Sequence, residues 1–159
     1  MHGRRAGRIA WIDFHTGLGP SGHGERIFAG PDDARDVGRA RHWWDGGGKT
    51  PVTSIYDGSS SSAKLTGMMW SCVPEECPQA QYTGIALEYG TKPLRDVLHA
   101  LRADHWLGQH PDAPADVAAA IKREMLEAFY TDTPEWKRSI VDQAREAMVQ
   151  AVDGLVAKD

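Results

Sequence analysis

Two short apolar runs, each closing on one polar residue and then glycine, constrain this chain more than any other feature. In Arg8 to Glu25, RIAWIDFHTGLGPSGHGE, five of the seven residues from Ile9 to His15 are apolar (Ile9, Ala10, Trp11, Ile12 and Phe14). A half-exposed strand alternates apolar with polar residues, whereas a near-continuous apolar run reads as a strand buried on both faces of a mostly parallel sheet. The run stops at Thr16-Gly17. Glycines at 17, 19, 22 and 24, with Pro20 among them, leave no room for a helix and predict a loop. His15 then falls at the carboxyl end of a buried strand, the edge of an open α/β sheet where ligands and catalytic groups collect. An imidazole satisfied by loop carbonyls fits the same position, and this strand alone leaves both roles open.

Tyr82 to Thr91, YTGIALEYGT, repeats the design: an apolar strand, Glu88 near its end, and Gly90 as the break. A carboxylate has no packing reason to close an apolar run, because buried acids are costly unless paired. WIDFHTGLGPSGHGE followed by GIALEYGT resembles the zinc carboxypeptidase superfamily, most closely an uncharacterised carboxypeptidase-like branch of it. The two motifs and their spacer cover most of residues 8 to 92. In that superfamily an Asp-x-His strand end supplies the last zinc ligand, and a later apolar strand ends in the catalytic glutamate. The resemblance therefore implies His15 as a metal ligand and Glu88 as general base. It implies a peptide or acyl-amino-acid substrate, and zinc as the cofactor.

A catalytic zinc holds three protein ligands and leaves one position for water, whose pKa it lowers to about 7. A neighbouring carboxylate then accepts the water's proton and passes it to the leaving amine. His15 and Glu88 fill one ligand place and the base place. Asp13, two residues before His15, points to the same face of an extended strand. It is read either as an outer partner that orients the imidazole or as a partner for a loop amide. The superfamily takes its other two ligands from a His-x-x-Glu pair upstream, along with the arginines that bind the substrate carboxylate. No histidine here has a glutamate three residues later, and His42, followed by Asp45, reads as a surface or packing residue. One of the three expected ligands is thus present. His23 and Glu25, in GPSGHGE, are read as closing the loop structurally, with lining the site or contacting the metal as the alternative. Tyr56, in SIYDGSS, resembles the tyrosine loop that closes over substrate in classical carboxypeptidases, although its spacing to Glu88 is longer here; a plain strand-end tyrosine is the alternative.

Composition narrows the class. The chain has 159 residues, 41% of them hydrophobic and 25% charged, and a formal net charge of −4, which gives no electrostatic case for nucleic acid or an anionic membrane. No apolar run approaches the roughly 18 residues of a membrane span, and MHGRRAGRIAW lacks the apolar centre of a secretory signal. A cytoplasmic location is expected. Cys72 and Cys77 are expected to be reduced thiols, since the histidines and cysteines of a structural zinc site are not nearby.

Further strands are predicted at Arg26–Ala29 and Val52–Tyr56. Helices are predicted over Pro31–Trp44, with Asp32 and Asp33 in the first turn, and over Lys92–Trp106 with Leu94, Val97, Leu98, Leu101 and His105 on one packed stripe. Two more follow over Asp116–Tyr130 and from Thr133, as N-cap, to about Val156, the last burying Trp136, Ile140, Ala144, Met148, Ala151 and Leu155. DGSSSSA, residues 57 to 63, reads as a flexible loop. The expected fold is α/β: one portion, residues 1–159, of a mixed, mostly parallel sheet flanked by helices, of the zinc carboxypeptidase and phosphorylase/hydrolase-like kind. Only about seven residues precede a strand of interior character, so the chain is expected to be a C-terminal half, incomplete at its N-terminus. The expected function is zinc-dependent hydrolysis of peptide or amide bonds. A deacylase- or desuccinylase-like amidohydrolase and a non-catalytic remnant or interaction module are the alternatives, with an upstream fragment or a second copy as partner.

Overall fold

The computed structural model describes residues 5–157, so His2 lies outside them. The fold is α/β: a four-stranded, mostly parallel mixed sheet with helices around it, in the order β1-β4-β2-β3. The strands are β1 (Arg8–Ser21), β2 (Gly24–Phe28), β3 (Val52–Thr53) and β4 (Gln81–Gly90), and the helices are α1 (Ala34–Trp44), α2 (Cys72–Glu76), α3 (Leu94–Gln109), α4 (Ala115–Phe129) and α5 (Pro134–Val156). Gln81 N donates to Gly7 O beside the start of β1, and Gly90 lies against Gly19 near its end, so β1 and β4 run parallel. β2 runs antiparallel to β4, with Ala29 N bonded to Gly84 O and Gly90 N to His23 O. β3 is parallel to β2, pairing Arg26 with Val52 and Ile27 with Thr53.

Two expectations about strands and loops are corrected. β1 is the outer strand of the sheet, not an interior one, and Phe14 is 48% exposed. The run from Thr16 to Ser21 is no loop: β1 continues through it, with Gly17 (φ 141°) and Gly19 (φ 103°) taking backbone angles that side chains disfavour. The serine stretch is a loop, as expected, in which Asp57 accepts from Ser59 N at 3.0 Å and Ser54 N donates to Ser59 Oγ at 2.9 Å.

The described residues form two compact units: 5–14, 25–87 and 142–157, and 15–24 and 88–141. The first has its core in Ile27, Phe28, Val52, Ile85, Leu87 and Trp44, whose indole Nε1 donates to Ala147 O at 2.9 Å. Arg26 is 2% exposed there. Its guanidinium donates to Trp44 O, Thr50 Oγ1 and, at 3.1 Å, Glu146 Oε2, which compensates its burial. Asp33 is the N-cap of α1, not a first-turn residue; it accepts from Arg35 N at 2.9 Å and Asp36 N at 3.3 Å. Both cysteines are free thiols, Cys72 exposed and Cys77 buried.

The second unit packs α3 on α4 around Val97, Ala100 and Ala128, with Trp136 and Tyr89 also buried. Thr133 caps α5 through Trp136 N. The predicted stripe of α3 is wrong in detail: Leu94, Leu98, Leu101 and His105 are exposed, and Val97 with Ala100 makes the contact. Met148 of α5 is likewise 47% exposed, and Ala147 takes the buried place. No helix among the described residues is long and apolar enough to cross a membrane.

Candidate functional site

His15 and Glu88 meet in the second unit. His15 Nδ1 lies 4.0 Å from Glu88 Oε2; the carboxylate side chain is 12% exposed and the imidazole 51%. Two neighbouring strands thus bring a shielded acid against a solvent-reaching imidazole. At 4.0 Å the contact is an ion pair only when the imidazole is protonated. It leaves the acid's other oxygen for different work: Leu18 N donates to Glu88 Oε1 at 3.0 Å. The shielded acid is therefore compensated by a backbone amide, and by the imidazole when that is protonated.

Glycine makes this approach feasible. Gly17 has φ 141°, and a Cβ there would overlap the Phe129 ring and sit 3.8 Å from Glu88 Oε1. Gly90, two residues beyond Glu88, has ordinary backbone angles but no spare room. A Cβ on it would lie well inside 3.0 Å of the carbonyl oxygens of Gly19 and Pro20. Beside it the backbone is closed by Gly22 N to Gly90 O and Gly90 N to His23 O, both 3.0 Å, while Trp136 Nε1 adds a donor to Gly90 O at 2.9 Å. Thr91, buried, bonds Ala128 O at 2.6 Å and Gly17 O at 3.3 Å. These anchors set where the glutamate stands. Sequence reasoning found the acid and the imidazole but missed the Leu18 amide and Thr91, whose only signal was their nearness to the two glycine breaks.

The remaining candidates fall elsewhere or are otherwise engaged. The backbone of His23 closes the Pro20–His23 turn, and its residue is exposed. Glu25, in the first unit, accepts from Thr53 Oγ1 at 2.6 Å, Ser61 N at 3.1 Å and Ser61 Oγ. Burial raises its pKa, yet the hydrogen bonds from Ser61 and Thr53 outweigh that and leave it lowered. Glu25 holds the serine loop. Tyr56, also in the first unit, donates its hydroxyl to Gly30 O at 2.9 Å and meets Phe28 edge-on; burial and the Asp32 charge raise its pKa. Asp13 belongs to the first unit too, where its charge is one of the causes, after burial and Cys72, that push the Tyr82 hydroxyl pKa up. His42 is exposed.

A catalytic zinc needs three protein ligands. Among the described residues no group of three or more His, Cys, Asp or Glu side chains gathers into such a set. The described residues do not by themselves supply that set. Residues 1–143 match the model of a family described as a protein of unknown function, DUF2817. No curated protein and no solved structure matches the chain.

Proposed function

The chain belongs to the DUF2817 family, and we propose that its His15–Glu88 pair is part of the reaction centre of a peptide- or amide-bond hydrolase of the metallocarboxypeptidase kind. The observation that carries this reading is the 4.0 Å approach of a half-exposed imidazole on β1 to a shielded carboxylate near the end of neighbouring β4. In this reading Glu88 accepts the proton of the attacking water and returns it to the leaving amine, and Leu18 N fixes the carboxylate while it does so. His15 is the metal-facing imidazole. With one of three expected ligands in the chain, no step is routed through zinc. The isolated chain is expected to bind the ion weakly and to turn over neither peptides nor acyl-amino acids measurably.

The test is a zinc titration followed by nitrogen NMR of the seven histidines. The His15 resonances should shift first and at the lowest zinc concentration, and Glu88→Gln should change that affinity. A His15 signal that moves no earlier than those of exposed His42 and His105 would remove the metal-facing role. Stoichiometric zinc that survives dialysis, with turnover that His15→Ala abolishes, would overturn the expected inactivity.

A second reading has its own observation. Glu88 Oε1 already accepts the Leu18 amide, as it would in a non-catalytic module where the acid only latches β4 to the glycine-bearing end of β1. Glu88→Ala decides between them. A latch predicts a stability loss of about 1–3 kcal/mol with zinc response unchanged, whereas a reaction-centre acid predicts that the zinc response of His15 changes as well.

A further inference from the structure

Helix α5 packs one face and leaves the opposite one bare. On the packed side Ala147 and Ala151 are buried, and a Cβ on Gly154 would overlap the Trp43 indole. On the other, Val141, Met148, Val149, Val152 and Val156 are 43%, 47%, 60%, 57% and 72% exposed. At 3.6 residues per turn these five fall within roughly 100° of one another, a stripe that also carries Arg145. Valine is a weaker helix former than alanine or leucine because its χ1 is restricted against the preceding turn. Four valines on a solvent face therefore cost helix stability without any packing return inside the chain.

The stripe is nearly symmetric about its own middle. Counting outward from the midpoint between Met148 and Val149, Val141 corresponds to Val156, and Arg145 to Val152, next to Asp153. A twofold contact between identical surfaces needs a patch that complements itself in this way. The charges agree with it. Arg145 stands within the stripe and Asp153 at its border, both exposed, and neither has an ion-pair partner among the described residues.

We propose that the exposed face of α5 is the contact of a homodimer, in which two copies of the helix cross antiparallel about Met148 and Val149. Val141 then meets the partner's Val156, Met148 meets the partner's Val149, and Arg145 reaches the partner's Asp153, twice by symmetry. One helix pair is a small interface, so the association is of micromolar strength rather than obligate. The proposal is independent of the His15–Glu88 reading.

Sedimentation of the full 159-residue chain over a concentration series tests it. The chain should move from monomer to dimer as its concentration rises to roughly 100 μM. Asp153→Arg places two like charges at each Arg145 contact and should weaken the dimer at least about tenfold. The exchange Arg145→Asp with Asp153→Arg restores opposite charges and should recover the association. Val152→Gln, which leaves both charges in place, should weaken it too, and far-UV circular dichroism checks that each variant folds. A wild-type monomer throughout the series overturns the proposal. So does association that Asp153→Arg leaves untouched, as pairing along the outer edge of β1 would.

Discussion

Gly90→Ala puts the approach of β4 to the end of β1 to a direct test. Its backbone angles suit any residue, so the variant isolates space from conformation. The new methyl would lie well inside 3.0 Å of the carbonyl oxygens of Gly19 and Pro20, and both obstacles are backbone rather than a movable side chain. Relief to ordinary van der Waals contact requires the two segments to part by about 1 Å. His23 N bonds Pro20 O at 3.0 Å, so the turn moves as one piece. That movement stretches Gly22 N to Gly90 O and Gly90 N to His23 O, both 3.0 Å now, past hydrogen-bonding range. Two lost bonds at about 1 kcal/mol each, with about 1 kcal/mol of residual overpacking, give a loss near 3 kcal/mol. At an m-value of about 2 kcal/mol/M, the urea midpoint should fall by roughly 1.5 M. Circular dichroism in urea, with wild type and variant side by side, reads the shift. A loss below about 1 kcal/mol would refute the packed contact and, with it, the account of how Glu88 is positioned.

Other outcomes follow from the same contacts. Gly38→Ala in α1 and Gly108→Ala in α3, where a Cβ meets nothing within 4 Å, should each raise stability by roughly 0.5–1 kcal/mol in the same urea assay. Arg26→Ala should cost about 1–3 kcal/mol, because it removes one of two donors to Trp44 O, the other being Thr50 Oγ1, and takes the cation from half-exposed Glu146; an unchanged thermal melt would contradict this. Glu25 has a folded pKa below its ordinary 4.5, and Asp57 is lowered from 3.8 to about 2 by hydrogen bonds from Ser59 and Arg41. Folded values lower than unfolded ones mean that both groups stabilise the fold above the unfolded values and lose that contribution as pH falls through the folded ones. Stability should therefore drop from about pH 4.5 downward, and Glu25→Gln should flatten the upper part of that slope in an acid titration followed by circular dichroism.

The strands at Arg26 and Tyr82 and the helices from Ala34, Leu94, Ala115 and Pro134 were legible because turn residues mark their ends. Thr133, read as an N-cap and bonded by Trp136 N, does so for a physical reason that acts locally. The buried faces of α3 and α5 were less legible. Periodicity finds the most apolar stripe, yet close packing favoured small residues: Ala100 and Ala147 are 0% exposed, while Leu98 and Met148 are near half-exposed. A helix that approaches its neighbour closely presents alanine there, which no hydrophobicity count ranks first. The engagement of Arg26 with Glu146 joins residues 120 positions apart and left no local signal.

The reach of β1 was misread for a related reason. An apolar run reports burial on two faces and says nothing about how many neighbours pair with the strand's edges. β1 is flanked only by β4 among the described strands, and it runs on through Gly17 and Gly19 because glycine takes positive φ within an extended segment. That continuation matters for the site. The apolar runs place Glu88 near the end of β4, but His15, expected at a strand end, stands within β1, which runs on to Ser21. Whether they face one another depends on register, and register is set where backbones touch: Gly90 against Gly19 and Pro20, with Thr91 bonded to Gly17 O. Contacts at these five positions, three of them glycine, thus set that an imidazole and a carboxylate 73 positions apart stand 4.0 Å from each other. Those glycines were visible in the sequence as breaks. Their function is the opposite one, since they let two strands come closer than any residue with a Cβ would allow.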